Sequence, residues 1–131
     1  MKNRWQNSDA AVAAAQSEVE LRVYSSQLLG ADSSLVLHGG GNTSVKAPFL
    51  NVFGEAIPAL YVKGSGWDLR TIKAPGFPPV DLAYLQRLGQ LQHLSDSDMM
   101  RELRLALLDP NGPTPSVEAI LHALIPHKYV D

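Results

Sequence analysis

Residues 36 to 46 read VLHGGGNTSVK. Gly39, Gly40 and Gly41 leave no Cβ in the path of an approaching molecule, and they accept positive φ. Successive N–H groups in such a turn can converge on an anion, and Asn42, Thr43 and Ser44 add side-chain donors beside them. The stretch fits an oxyanion or phosphate cradle; it serves equally well as a tight connection between strands. It is not a Walker A loop, because the spaced glycine and the Gly-Lys-Ser/Thr ending are missing. Nor is it a dinucleotide fingerprint, since the residues after the glycines read as strand rather than helix. KGSG at 63–66 is a second small-residue turn at the end of an apolar strand. Alone it is an ordinary β-turn, but if the two strands pair it brings Ser65 and Gly66 beside the first loop. The third stretch, PTPSVEAILH at 113–122, places Pro115 and Ser116 where a helix opens, and a helix N-terminus favours an anion. Glu118 either complements the helix dipole or acts as a general acid/base at the lip of the anion pocket.

The rest of the composition narrows the class. With 11 Lys and Arg against 13 Asp and Glu the formal charge is -2, and no basic block exists to track a nucleic acid. Cysteine is absent, which excludes disulfides, thiolate metal sites and a Cys nucleophile. His38, His93 and His127 have no metal-like spacing, and His122, four residues after Glu118, reads as one half of a helix-surface pair. No complete metal site is legible. The N-terminus lacks the pattern of a signal peptide, and no apolar run approaches the roughly 20 residues that cross a bilayer. A cytoplasmic enzyme or binding protein is expected, with no membrane and no nucleic-acid partner.

These stretches need elements to hold them. Helical spacing of Val12, Ala15, Val19 and Val23 predicts one helix over 9–29, capped by Ser8 or Asp9 and ended by Gly30. LVLH at 35–38 predicts a short strand entering the glycines. From Ser44 to Gly66 the pattern is strand, turn, strand, with FGE as the turn. The Gly- and Pro-rich run from Gly64 to Pro79 predicts a surface loop. Helices are expected over 81–93 and 96–108, the latter capped by Ser95 with Asp98. A last helix should bury Val117, Ile120, Leu121, Leu124 and Ile125. KYVD then begins a strand.

LHGGGNTSVK, YVKGSGWDL and PSVEAILHALIPHKYVD, in this order, resemble the N-terminal part of a class II aldolase/adducin domain. The wording is most similar to the aldolase half of bacterial rhamnulose-phosphate aldolase/short-chain dehydrogenase bifunctional proteins. The resemblance covers nearly all of residues 1–131, read as the N-terminal portion of such a domain. It implies an α/β fold, three-layered α/β/α with a largely antiparallel central sheet, in a homo-oligomer. It implies cleavage of a ketose phosphate through an enediolate, with a divalent metal, normally zinc, polarising the substrate. Glu118 falls on the family's acid/base, and Gly41, Asn42, Ser65, Gly66 and Ser116 fall on its phosphate-binding positions. Val117 replaces a second serine found in many aldolases, and Gly39 a hydroxyl residue found in some; the loss of phosphate-facing hydroxyls weakens the grip on phosphate or shifts the substrate away from phosphate esters. The family's metal-binding His-x-His follows the strand that KYVD begins. The chain stops one step short of it, so this chain is expected to hold no metal and to be inactive as an aldolase. Epimerases and dehydratases of sugar phosphates share the scaffold, and adducin-like heads use it without catalysis for protein assembly.

Overall fold

The computed structural model describes residues 3–36 and 40–131. Two helices, α1 (Asn7–Gln16) and α2 (Glu18–Gly30), replace the single helix expected over 9–29. Ser17 breaks it: its backbone is extended, and its hydroxyl accepts from the Glu20 N–H as the N-cap of α2. The chain folds back there, so that Trp5 meets Tyr24 edge-on at 5.1 Å and the Gln6 N–H donates to the Tyr24 hydroxyl. Of the expected strand at 35–38, Leu35 lies in a turn and Val36 in irregular chain, while Leu37 and His38 lie outside the described residues.

β1 (Ser44–Leu50) and β2 (Ala56–Val62) form the expected hairpin. After β2 the Gly- and Pro-rich run is not wholly irregular. It carries a 3-10 turn at Ala74–Gly76 and reaches β3 (Pro79–Asp81), which pairs antiparallel with β2. α3 (Leu82–Leu88) and α4 (Asp96–Leu105) follow, both shorter than the periodicity predicts because Gly89 and Ala106 already sit at their C-caps. Ser95 caps α4 by accepting from Asp98 N–H, as expected. α5 (Ala119–Leu124) precedes β4 (Tyr129–Val130). The sheet order is β3-β2-β1-β4, antiparallel throughout.

The pleat separates two helical layers. Leu60 and Val62 of β2 join Val80, Leu85, Leu103, Ala119 and Ala123 in the larger core, which holds α3, α4 and α5. Tyr61, between them, packs instead with Val23 of α2, Ile72 and Phe77. The result is the three-layered α/β/α arrangement expected. No helix among the described residues is long and apolar enough to cross a membrane.

Candidate functional site

The three small-residue stretches meet at one end of the β1–β2 hairpin. Beyond the register pair Ser44↔Val62, the ladder continues with Lys63 N–H donating to Thr43 O at 3.1 Å. The exit of β2 is then stitched to the segment before α5. Ser116 N–H donates to Lys63 O at 3.1 Å, Ser65 N–H donates to Thr114 O at 2.8 Å, and Gly64 forms a bridge with Pro115. Asn42 closes the triangle: its Nδ2 donates to Ser116 Oγ at 2.5 Å. Asn42, Ser65 and Ser116, far apart in sequence, therefore belong to one cluster.

Glycine is required here by geometry. Gly41 has φ +79°, and a Cβ on it would stand 2.8 Å from Leu69 Cδ1. Gly64 has ordinary φ, but a Cβ would lie 2.5 Å from Pro113 Cγ. Gly66, at φ +85°, has nothing within 4 Å of the Cβ position and leaves that side of the cluster open.

Ser116 does not sit on a helix N-terminus, contrary to the sequence reading. α5 begins only at Ala119, and the Ser116 N–H is already spent on Lys63 O. Ser116 Oγ instead accepts from Glu118 N–H at 3.2 Å and from Asn42, leaving its own proton to donate outward. Glu118 holds the N-cap position without a side-chain cap bond, and its carboxylate is exposed at the rim. The expected apolar stripe of the last helix is only partly buried: Ile120 packs against the core and Ile125 is half-buried, whereas Val117, Leu121 and Leu124 are exposed, and the buried face is Ala119, His122 and Ala123. Short side chains let α5 lie close against the sheet, so small residues rather than large ones mark its inner face.

His122 is the main correction. Read as a surface partner of Glu118, it is 3% exposed, and its Nδ1 lies 2.7 Å from the fully buried Ser44 Oγ. Burial holds its pKa below the ordinary 6.5, against the opposing pull of the Glu118 carboxylate. One residue earlier and on the other face of the pleat, Thr43 Oγ1 lies 2.7 Å from Ser26 Oγ of α2. Thr43 and Ser44 thus anchor the glycine loop to both helical layers. The sequence signal was available in two adjacent hydroxyls entering a strand and in a histidine flanked at i−3 and i+1 by alanine. Lys46, on the same strand, donates to the carbonyls of Ile125 and His127 where α5 ends, and burial lowers its pKa.

Asn42 Oδ1 is buried without a partner among the described residues. The amide is therefore anchored through its NH2 alone and carries an unspent acceptor. Among the described residues no group of three or more His, Cys, Asp or Glu side chains comes together as a metal-ligand set. His38 and Gly39 lie outside the described residues. The cluster lies at the surface, with Gly41, Ser65, Gly66 and Glu118 exposed, and cavities such as that lined by Trp67, Tyr61 and Phe77 are formed by other residues.

A bare turn, a second small-residue turn, a serine and a rim carboxylate, all on an antiparallel sheet between helices, define a class of fold that comparison can test. No family model matches the chain. Over 98% of its length it superimposes, with a TM-score of 0.88 and 37% identity, on the N-terminal class II aldolase domain of a conserved protein from Thermoplasma acidophilum, covering 58% of that chain. The chain therefore has the fold of a class II aldolase N-terminal domain, and it spans little more than half the length of that solved relative. It is also 40% identical over 113 residues, 86% of its length, to the Bacillus subtilis (strain 168) protein named "Uncharacterized oxidoreductase YuxG"; the chain covers 16% of that relative.

Proposed function

We propose that this segment supplies the phosphate-binding and proton-transfer groups of a class II aldolase acting on a ketose phosphate of the rhamnulose or fuculose type. The observation that carries the reading is the 2.5 Å bond from Asn42 to Ser116, which joins the glycine loop to the turn that bears Glu118. Gly41, Asn42, Ser65, Gly66 and Ser116 form the anion cradle, and Glu118 takes and returns the substrate proton at its rim. Carbon–carbon cleavage also needs a Lewis acid for the electron pair that moves onto the carbonyl, in this family a divalent metal such as zinc. The described residues do not by themselves make a site for one. The oxidoreductase name of the Bacillus relative, much longer than this chain, supports a dehydrogenase half in the same polypeptide.

Calorimetry with a phosphorylated ketose and its unphosphorylated parent tests the assignment. Binding of the phosphate ester alone is expected, and equal affinity for both refutes the cradle. In a retro-aldol assay of the 131-residue chain with added zinc, no turnover above background is expected; clear turnover contradicts this division of labour.

Exposed Leu50, Val52, Phe53, Leu121 and Leu124 support self-association as a homo-oligomer, which light scattering reads directly. The same apolar side chains favour the second reading, a non-catalytic assembly module. That reading gains if the chain oligomerises and binds neither ketose.

A further inference from the structure

The glycine loop and the Ser116–Glu118 turn touch at the surface through Asn42 and Ser116. They are tied a second time, from below, by a bond that the phosphate-binding reading does not use. Ser44 lies two residues after Asn42, and His122 one helical turn after Glu118; their side chains meet at 2.7 Å with both residues buried. We infer that His122 is a positioning residue: through Ser44 it sets the spacing between the glycine loop and the Ser116–Glu118 turn, and hence the width of the anion cleft.

Three observations converge on this role. Ser44 is fully buried and opposite Val62 in the ladder, so its hydroxyl faces the α5 layer and cannot turn to water. α5 is only six residues long, and a helix of under two turns does not hold its own orientation. Its polar ties are few: Lys46 of β1 holds the C-terminal end through Ile125 O, Gln86 of α3 reaches Ala123 O, and His122 ties the body of the helix to β1 at Ser44, next to the glycine loop.

The tie depends on the ring's charge state. With Ser44 as donor, Nδ1 is the unprotonated acceptor; protonation reverses the bond, so that Nδ1–H donates to Ser44 Oγ, and it leaves a charge buried between the strand and α5. The charged groups acting on the ring are Glu118 on its own segment, Lys46 on β1, Arg22 on α2 and Asp131 beyond β4. β2 and α3 meet α5 through the apolar Leu60, Val62 and Leu85. Lys46 and Arg22 favour the neutral ring along with burial, and Glu118 and Asp131 oppose them. The cleft is accordingly fixed at neutral pH and loosens in acid.

The inference rests on the anion-site reading for its purpose, but its geometry is tested without any anion. In the anion-free chain, NMR is expected to show the His122 ring, the Ser44 amide and the amides of Asn42 and Ser116 titrating with one midpoint below 6.5. Asn42 and Ser116 resonances that ignore the His122 midpoint overturn the inference, whatever happens to binding. At pH 7.5, Ser44→Ala should weaken inorganic phosphate binding about tenfold, and His122→Phe likewise, while His122→Asn, which can still accept from Ser44, keeps most of the affinity and loses the acid midpoint. Wild-type affinity in Ser44→Ala also overturns it. If the variants do not fold, the wild-type titration decides. A wild-type chain that binds no phosphate but shows the shared midpoint defeats the anion site and leaves the clamp standing.

Discussion

The two ends of the β1–β2 hairpin are built on opposite rules. At the far tip, Val52 and Phe53 are 92% and 81% exposed, around a turn that supplies its own hydrogen bonds. Asn51 Oδ1 accepts from both Phe53 and Glu55 N–H, and Gly54 N–H returns to Asn51 O. At the near end, polar side chains are buried: Thr43 and Ser44 are enclosed, and each spends its hydroxyl on a different helical layer. The tip is complete in itself. The near end exists only because Thr114, Ser116 and His122 come from elsewhere in the chain to complete it. Buried polar groups are costly unless partnered, so a concentration of them at one end marks a built site rather than a connection.

Substitutions at matched positions sharpen this contrast. Gly64→Ala drives a Cβ into the rigid Pro113 ring and should cost about 3 kcal/mol in chemical denaturation, because strand exit and proline segment must part. Asn42→Ala should cost about 1.5 kcal/mol, since it removes the link to Ser116, and should also weaken phosphate binding. Gly54→Ala at the tip meets no atom within 4 Å, so only its φ of +78° opposes it, and about 1 kcal/mol is expected. An Asn42→Ala variant that costs less than Gly54→Ala would break the comparison.

Acid should also separate the two ends. The folded His122 has a pKa below its unfolded 6.5, so between the two values the unfolded chain binds the extra proton. Stability is therefore full above pH 6.5, falls as pH drops, and levels off once His122 is protonated in the folded state. Denaturation at several pH values should show this fall in the wild type and lose it in His122→Asn. Phe53→Ser, on the fully solvated tip, should change stability by less than about 0.5 kcal/mol at any of these pH values.

Much of the layout was legible in sequence because it is local. The FGE turn between two strand-like runs, the second ending in the apolar ALYV, marked the hairpin, and Ser95 marked the start of α4. The stretches that bear Asn42, Ser65 and Ser116 could be singled out because small residues and an isolated carboxylate are conspicuous at strand ends. What misled was also physical. Ser17 turns a continuous helical pattern into two helices because its hydroxyl can cap the second. Val117, Leu121 and Leu124 have a helical stripe's spacing, yet close approach to the sheet selected the Ala119–His122–Ala123 face. His122 and Ser44 lie 78 residues apart, and nothing local to either announces the other.

On the proposed reading, Gly41, Asn42, Ser65, Gly66 and Ser116 act as one anion site. The direct measurement is a titration of the chain with inorganic phosphate, followed at the backbone amides of those five residues by heteronuclear NMR. All five are expected to move with a single dissociation constant while Phe53 and Gly54 stay fixed. Unmoved amides at Asn42, Ser65 and Ser116, or separate constants for the three loops, would contradict it.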